Sequence, residues 1–173
     1  YLTFIHIVLV CAFNYFFESG YTGDSEFYIL ISKELLNGNF FDPILNWKFG
    51  PGYPIFLGIS SFFFNYNIYW ISIIQSFIFC FSIFLFVKTL FKNSIISNIL
   101  FAIFCLLPNF IFINGSIMSE SIASSLLILI IYFLFYSKSL KFHLIIISLL
   151  MALLLSVRYE QIIILFVIIT LWI

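Results

Sequence analysis

Polar residues are so sparse along this chain that they, rather than the apolar positions, divide it into elements. Apolar runs occupy Leu2 to Phe17, Ile68 to Val87, Ile95 to Ile113, Ile122 to Tyr136, Leu144 to Val157, and Ile162 onward. The run from Ile68 to Val87 matches the roughly 20 residues that a helix needs to cross a hydrocarbon core. Inside lipid a backbone must satisfy its own hydrogen bonds, and the alternation of barrel strands is absent, so each run is predicted to be helical. One long polar interval, 18–52, interrupts the pattern. Within it Ser25 to Asn37 is predicted as a short helix. Asp24 is placed to cap it, Asn37-Gly38 ends it, and Phe27, Tyr28, Ile31 and Leu35 recur at helical spacing. Such a helix suits a membrane surface. Pro43, Pro51 and Pro54 then break any continuous helix, and Ile55 to Phe64 reads as an interfacial or half-inserted helix.

Composition narrows the class. With 64% hydrophobic and 8% charged residues, the chain lies far from soluble globular domains. The expected fold is all-α, a polytopic helical membrane protein, with 1–173 as a single transmembrane domain. The chain begins at Tyr1 without a cleavable signal and stops inside an apolar run at Leu171-Trp172-Ile173, which reads as the N-terminal portion of a longer protein. Net charge is zero, so nothing points to nucleic acid. Cys11, Cys80 and Cys105 stand singly in apolar runs and read as small buried hydrophobes. His6 and His143 have no ligand-spaced neighbours and read as incidental.

The few charges are ordered. Lys88 and Lys92 fall in one connection and Lys138 and Lys141 in another, two spans later. The positive-inside rule makes that side cytoplasmic. The connections holding Glu18, Asp24, Glu26, Glu34, Asp42, Glu120 and Glu160 then all face outward, so every acid shares one outer face. The strongest polar residue inside a span is Gln75.

Each candidate on that face has two readings. Asp24 and Glu26, two residues apart at a helix start, suit a base with a metal or substrate ligand, or a cap with a first-turn glutamate favoured by the helix dipole. In KFGPGYPIFL, Pro51 to Pro54 form a rigid turn that holds Lys48 and Tyr53 near the membrane surface. Glu120 heads a helix whose Ser116, Ser119, Ala123 and Ser124 form a small-residue packing face. It is a site residue or a solvated interfacial one. Arg158 is the lone arginine, and its planar fork suits phosphate. It is a phosphate ligand, a snorkelling anchor, or a local partner for Glu160.

Taken in order, these stretches resemble the N-terminal part of the GT-C membrane glycosyltransferases. The similarity is to the bacterial branch related to protein mannosyltransferases and to the aminoarabinose transferase of lipid A. The matching pattern is Asp24, Tyr28, Ser32, Leu35 and Gly38 in the first loop, then Pro51 to Pro54, Pro108, Ser119-Glu120, and Arg158-Tyr159-Glu160. The last departs from the family in having tyrosine where proline is usual, and Lys48 lies further from the PGYP segment than the family's arginine. The resemblance implies a GT-C-like bundle with an amphipathic juxtamembrane helix and an active site in the outer loop 18–52. It implies transfer of a sugar from a polyprenyl-phosphate donor to a lipid, glycan or protein acceptor on the outer face of a bacterial cytoplasmic membrane. Asp24 and Glu26 would be catalytic, and Lys48, Tyr53, Glu120, Arg158 and Glu160 would bind substrate. No cofactor is required by it, and a divalent cation is compatible with the carboxylates. The competing expectation is a transporter or flippase for a lipid-linked substrate, against which stands the near absence of ionisable residues inside the runs.

Overall fold

The computed structural model describes residues 1–17, 22–39, 50–136 and 140–172, with only the backbone described at 136, 140–142, 169, 171 and 172. Every regular element among the described residues is helical, as the hydropathy pattern leads one to expect. They are α1 (Leu2–Phe17), α2 (Ser25–Leu36), α3 (Gly52–Phe64), α4 (Ile68–Leu90), α5 (Ser94–Leu106), α6 (Pro108–Gly115), α7 (Ser119–Tyr136), α8 (Leu140–Val157) and α9 (Ile162–Trp172). A single 3₁₀ turn, Tyr159–Gln161, joins α8 to α9.

The caps follow local chemistry. Asn67 accepts hydrogen bonds from the Tyr69 and Trp70 amides at the head of α4, and Asn93 does the same for Ile95 and Ile96 at the head of α5. Gly38, with φ +83, turns the chain out of α2 where a side chain would be strained. α4 is the hub of the bundle. It packs against α1, α3, α5, α6 and most extensively α7, which packs in turn on α8. One core cluster joins α2, α3, α4, α7 and α8 through Tyr28, Tyr53, Leu57, Ile71, Ile130 and Leu154. The other lies between α4 and α5, around Phe79, Cys80, Ile83, Val87, Phe101 and Cys105.

The expected single span Ile95 to Ile113 is broken. Leu107 is extended (φ −63, ψ 123), and α6 restarts at Pro108 with its axis bent 56° from α5. Proline excludes the preceding residue from helical geometry and starts a new helix well, so the break is written at Pro108. Backbone carbonyls freed by the break and by the end of α6 are taken up by side chains from other helices. A carbonyl only accepts, so His6 Nδ1 carries a proton and donates it to the Cys105 carbonyl at 2.7 Å, while Asn114 Nδ2 lies 3.2 Å from His6 Nε2. Gln75 Nε2 donates to the carbonyls of Asn114 and Ser116 at 3.2 and 3.0 Å, and Ser72 donates to that of Gly115 at 3.1 Å. His6 is therefore not incidental; fully buried, it helps to satisfy the broken helix.

The PGYP stretch also differs from expectation. Gly52, Tyr53 and Pro54 form the first turn of α3 rather than a surface turn, a place where proline's missing N–H costs no bond. Tyr53 has 0% exposure and donates through its hydroxyl to Gln75 Oε1 at 2.6 Å.

By length and composition α4 alone among the described helices is long and apolar enough to cross a membrane, and α5 with α6 makes a second if the bent pair counts as one span. The expectation of six independent spans is not met in these lengths. The 16 residues of α1 rise only about 24 Å, short of the roughly 30 Å hydrocarbon core.

Candidate functional site

Three connections meet at one end of the bundle. The first is the head of α2. The Thr22 amide donates to Ser25 Oγ at 2.7 Å, and Ser25 Oγ donates to the Ile117 carbonyl at 3.0 Å. This ties α2 to the second connection, 116–118, which leads into α7. A 3.0 Å hydrogen bond between the hydroxyls of Tyr28 and Ser119 makes the tie double. The third is the end of α8, where Arg158 turns extended before the 3₁₀ turn. The Gly-Pro-Gly stretch lies against it. A Cβ on Gly52 would stand 2.8 Å from the Ser156 carbonyl carbon and 2.9 Å from Val157 Cγ2, so only glycine lets the two backbones approach this closely.

Between them lies a cavity of about 50 Å³ lined by Asp24, Tyr28, Gly50, Ser119, Glu120 and the segment from Val157 to Glu160. On one wall Arg158 bridges two acids. Its Nη1 is 2.6 Å from Glu120 Oε1 and its Nη2 donates to Glu160 Oε2 at 3.0 Å. Partial burial would lower the arginine's pKa, but the two carboxylates outweigh it and push the pKa up, so the guanidinium stays charged. Burial raises the Tyr28 hydroxyl pKa against its bond to Ser119, and Glu120 and Asp24 add to the rise, so this hydroxyl keeps its proton. The Asp24 carboxylate also lines the cavity; it is exposed and makes no hydrogen bond or ion pair among the described residues. Among the described residues, three carboxylates and one guanidinium line the cavity.

The structure thus gathers Asp24, Glu120, Arg158 and Glu160, which are remote in sequence, around one space. It separates Glu26 from Asp24. Residues two apart at the start of a helix do not share a face, and Glu26 is exposed but does not line the cavity. Of the expected carboxylate pair, Asp24 alone lines this cavity. Tyr53 lies behind the wall, its ring set edge-on to Tyr28 at 4.9 Å between centroids, and meets no solvent. Lys48 lies outside the described residues. Asp24 stands at the cap position of α2, yet its side chain makes no capping bond, so the expectation that it caps is not met. Tyr28 and Ser119 line the cavity although only the sequence pattern, not a site role, had marked them. Their signal was spacing, since Tyr28 follows Asp24 by one helical turn and Ser119 precedes Glu120. Among the described residues no group of three or more His, Cys, Asp or Glu side chains is placed to hold a metal ion.

No family model matches this chain. No curated protein and no solved structure shows a significant match to it either.

Proposed function

We propose that this chain is the membrane-embedded part of a glycosyltransferase, of the GT-C kind, that moves a sugar from a polyprenyl-phosphate donor to a hydroxyl-bearing acceptor in this cavity. It would be a polytopic protein of a bacterial cytoplasmic membrane, with the cavity at the outer face. The observation that carries the reading is an Asp24 carboxylate, without a bond among the described residues, lining the same cavity as the Arg158 guanidinium. In the proposed step Asp24 accepts the acceptor's proton as its oxygen bonds to the anomeric carbon. The bond from that carbon to the phosphate oxygen breaks, and polyprenyl phosphate leaves with its charge beside Arg158.

Two features refine the roles. The cavity, about 50 Å³, is partly open. Its wall carries the ion pair between Glu120 and Arg158. A phosphate reaching Arg158 must displace at least one acid from it. The direct test supplies the protein in membranes with labelled polyprenyl-phosphate sugars and follows label into lipid, glycan and protein fractions. Label that stays on the donor across a panel of sugars sinks the proposal.

A transporter for a lipid-linked substrate has one observation in its favour, the buried polar strip of His6, Asn14, Gln75 and Asn114 inside the bundle. Most of that strip is bonded to the backbone of the broken helix, which makes it a structural fixture rather than a path.

A further inference from the structure

The two cysteines in the second core cluster are not separate. Cys80 on α4 and Cys105 in the last turn of α5 bring their sulfurs to 3.8 Å, with 1% and 0% exposure. Buried thiols are normally inert because aqueous oxidants do not reach them. Here the Cys80 side also forms part of a groove. A hollow of about 240 Å³ on the outside of the bundle is lined by Thr3, Phe77, Cys80, Phe81 and Phe84. Its three phenyl rings are 60%, 51% and 42% exposed, so the groove opens to whatever surrounds the helices.

We propose that Cys80 and Cys105 are a dithiol couple oxidised to a disulfide by a lipid-soluble quinone seated in this groove. A flat ring stacks on phenyl faces, the Thr3 hydroxyl can donate to a quinone carbonyl, and the thiol lies in the same wall. Both S–H bonds break and one S–S bond forms. The two electrons and two protons pass to the quinone, which leaves as hydroquinone. The link would fasten α4 to the last turn of α5, the turn whose Cys105 carbonyl holds His6 just before the break at Leu107.

The test treats the protein in vesicles with a short-chain benzoquinone, quenches with acid, denatures, and counts thiols by the mass added with a polyethylene-glycol maleimide. Quinone should remove both Cys80 and Cys105 from the count and leave Cys11 reactive, and dithiothreitol should restore them. Cys80→Ser and Cys105→Ser should each lose no thiol to quinone. Phe81→Trp, which fills the groove, should slow the loss while leaving oxidation by copper phenanthroline unchanged. If neither oxidant removes the pair, the couple is refuted. If copper phenanthroline alone does, or if Phe81→Trp reacts with quinone at the parental rate, the quinone assignment is refuted and the groove belongs to lipid tails.

Discussion

The interior of the bundle and the cavity at its end are both polar, but the polarity is spent differently. In the interior, Gln75 uses its carbonyl on the Tyr53 hydroxyl and its amide on two backbone carbonyls, and Asn114 bonds His6 and accepts from Ser121 at 2.5 Å. These groups answer the needs of a helix broken in an apolar setting, where an unpaired backbone group costs several kcal/mol. At the cavity, Glu120 and Glu160 are bound to Arg158, but Asp24 is bound to nothing among the described residues. A polar group whose bonds are complete serves the fold. One that lines a cavity and is open to solvent can serve chemistry.

The sharpest way to break this contrast is to remove the carboxylate of the cavity that has no partner among the described residues. Asp24→Asn keeps shape and removes the base. The side chain makes no capping bond, so folding and insertion should be unaffected. General-base assistance is worth about 10²–10⁴ in rate, so sugar transfer should fall by that order while donor binding persists. Transfer at the parental rate would make Asp24 as idle as its empty bonding list and would end the enzyme reading of the cavity.

An interior counterpart should behave in the opposite way. Gln75→Leu removes the acceptor of the buried Tyr53 hydroxyl and the side-chain donor to the Asn114 carbonyl, while the Ser116 carbonyl keeps its bond from the Met118 amide. Each orphaned group costs about 1–3 kcal/mol, so unfolding in detergent should shift to markedly lower denaturant or temperature. What remains folded should transfer sugar normally. A stable but inactive Gln75→Leu protein would show that the interior strip takes part in function after all.

The pattern of hydropathy made the helices legible, since apolar runs in a chain with so few charges leave little choice. The lysine-bearing connections led to the expectation that the acids share one face, and the structure sets three of them, Asp24, Glu120 and Glu160, around one cavity. What the pattern hid were relations between distant backbones. A single span was expected through Pro108, and nothing in the pattern showed that His6, about a hundred residues earlier, would satisfy the carbonyl of Cys105 beside a break there. Tyr53 looked like a surface residue because PGYP reads as a turn, and only the packing of α3 on α2 and α4 buries it. Cys80 and Cys105 were single in sequence and adjacent in space. Glu26 was paired with Asp24 because sequence proximity resembles spatial proximity, which a helix start denies.

The glycines between the two regions test how tightly the cavity is set. Gly52→Ala places a methyl against the backbone of Ser156 and a methyl of Val157, neither of which is a freely movable chain end. Overpacking of this kind typically costs about 1–3 kcal/mol. The strain falls on the segment that carries Arg158, so transfer should drop together with thermal stability. A variant with normal stability and normal transfer would mean that α8 ends with more slack than the close approach implies.

The smallest expected effect is at Glu26, and it is the most discriminating control for Asp24. Both carboxylates are exposed and both lie at the head of α2, so any general role of negative charge there, at the helix dipole or toward a membrane surface, is shared by the two. Only Asp24 lines the cavity. Glu26→Gln should therefore leave transfer within about twofold of the parent, the range usual for a surface substitution away from any site. Stability should hold as well, since glutamine forms helix as readily as glutamate. Raised ionic strength would weaken any long-range contribution that the two acids share, so measuring both variants at low and high salt separates local chemistry from field. If Glu26→Gln proves as damaging as Asp24→Asn at every salt concentration, the acting group is not defined by the cavity wall, and the division between bonded and unbonded carboxylates loses its functional meaning.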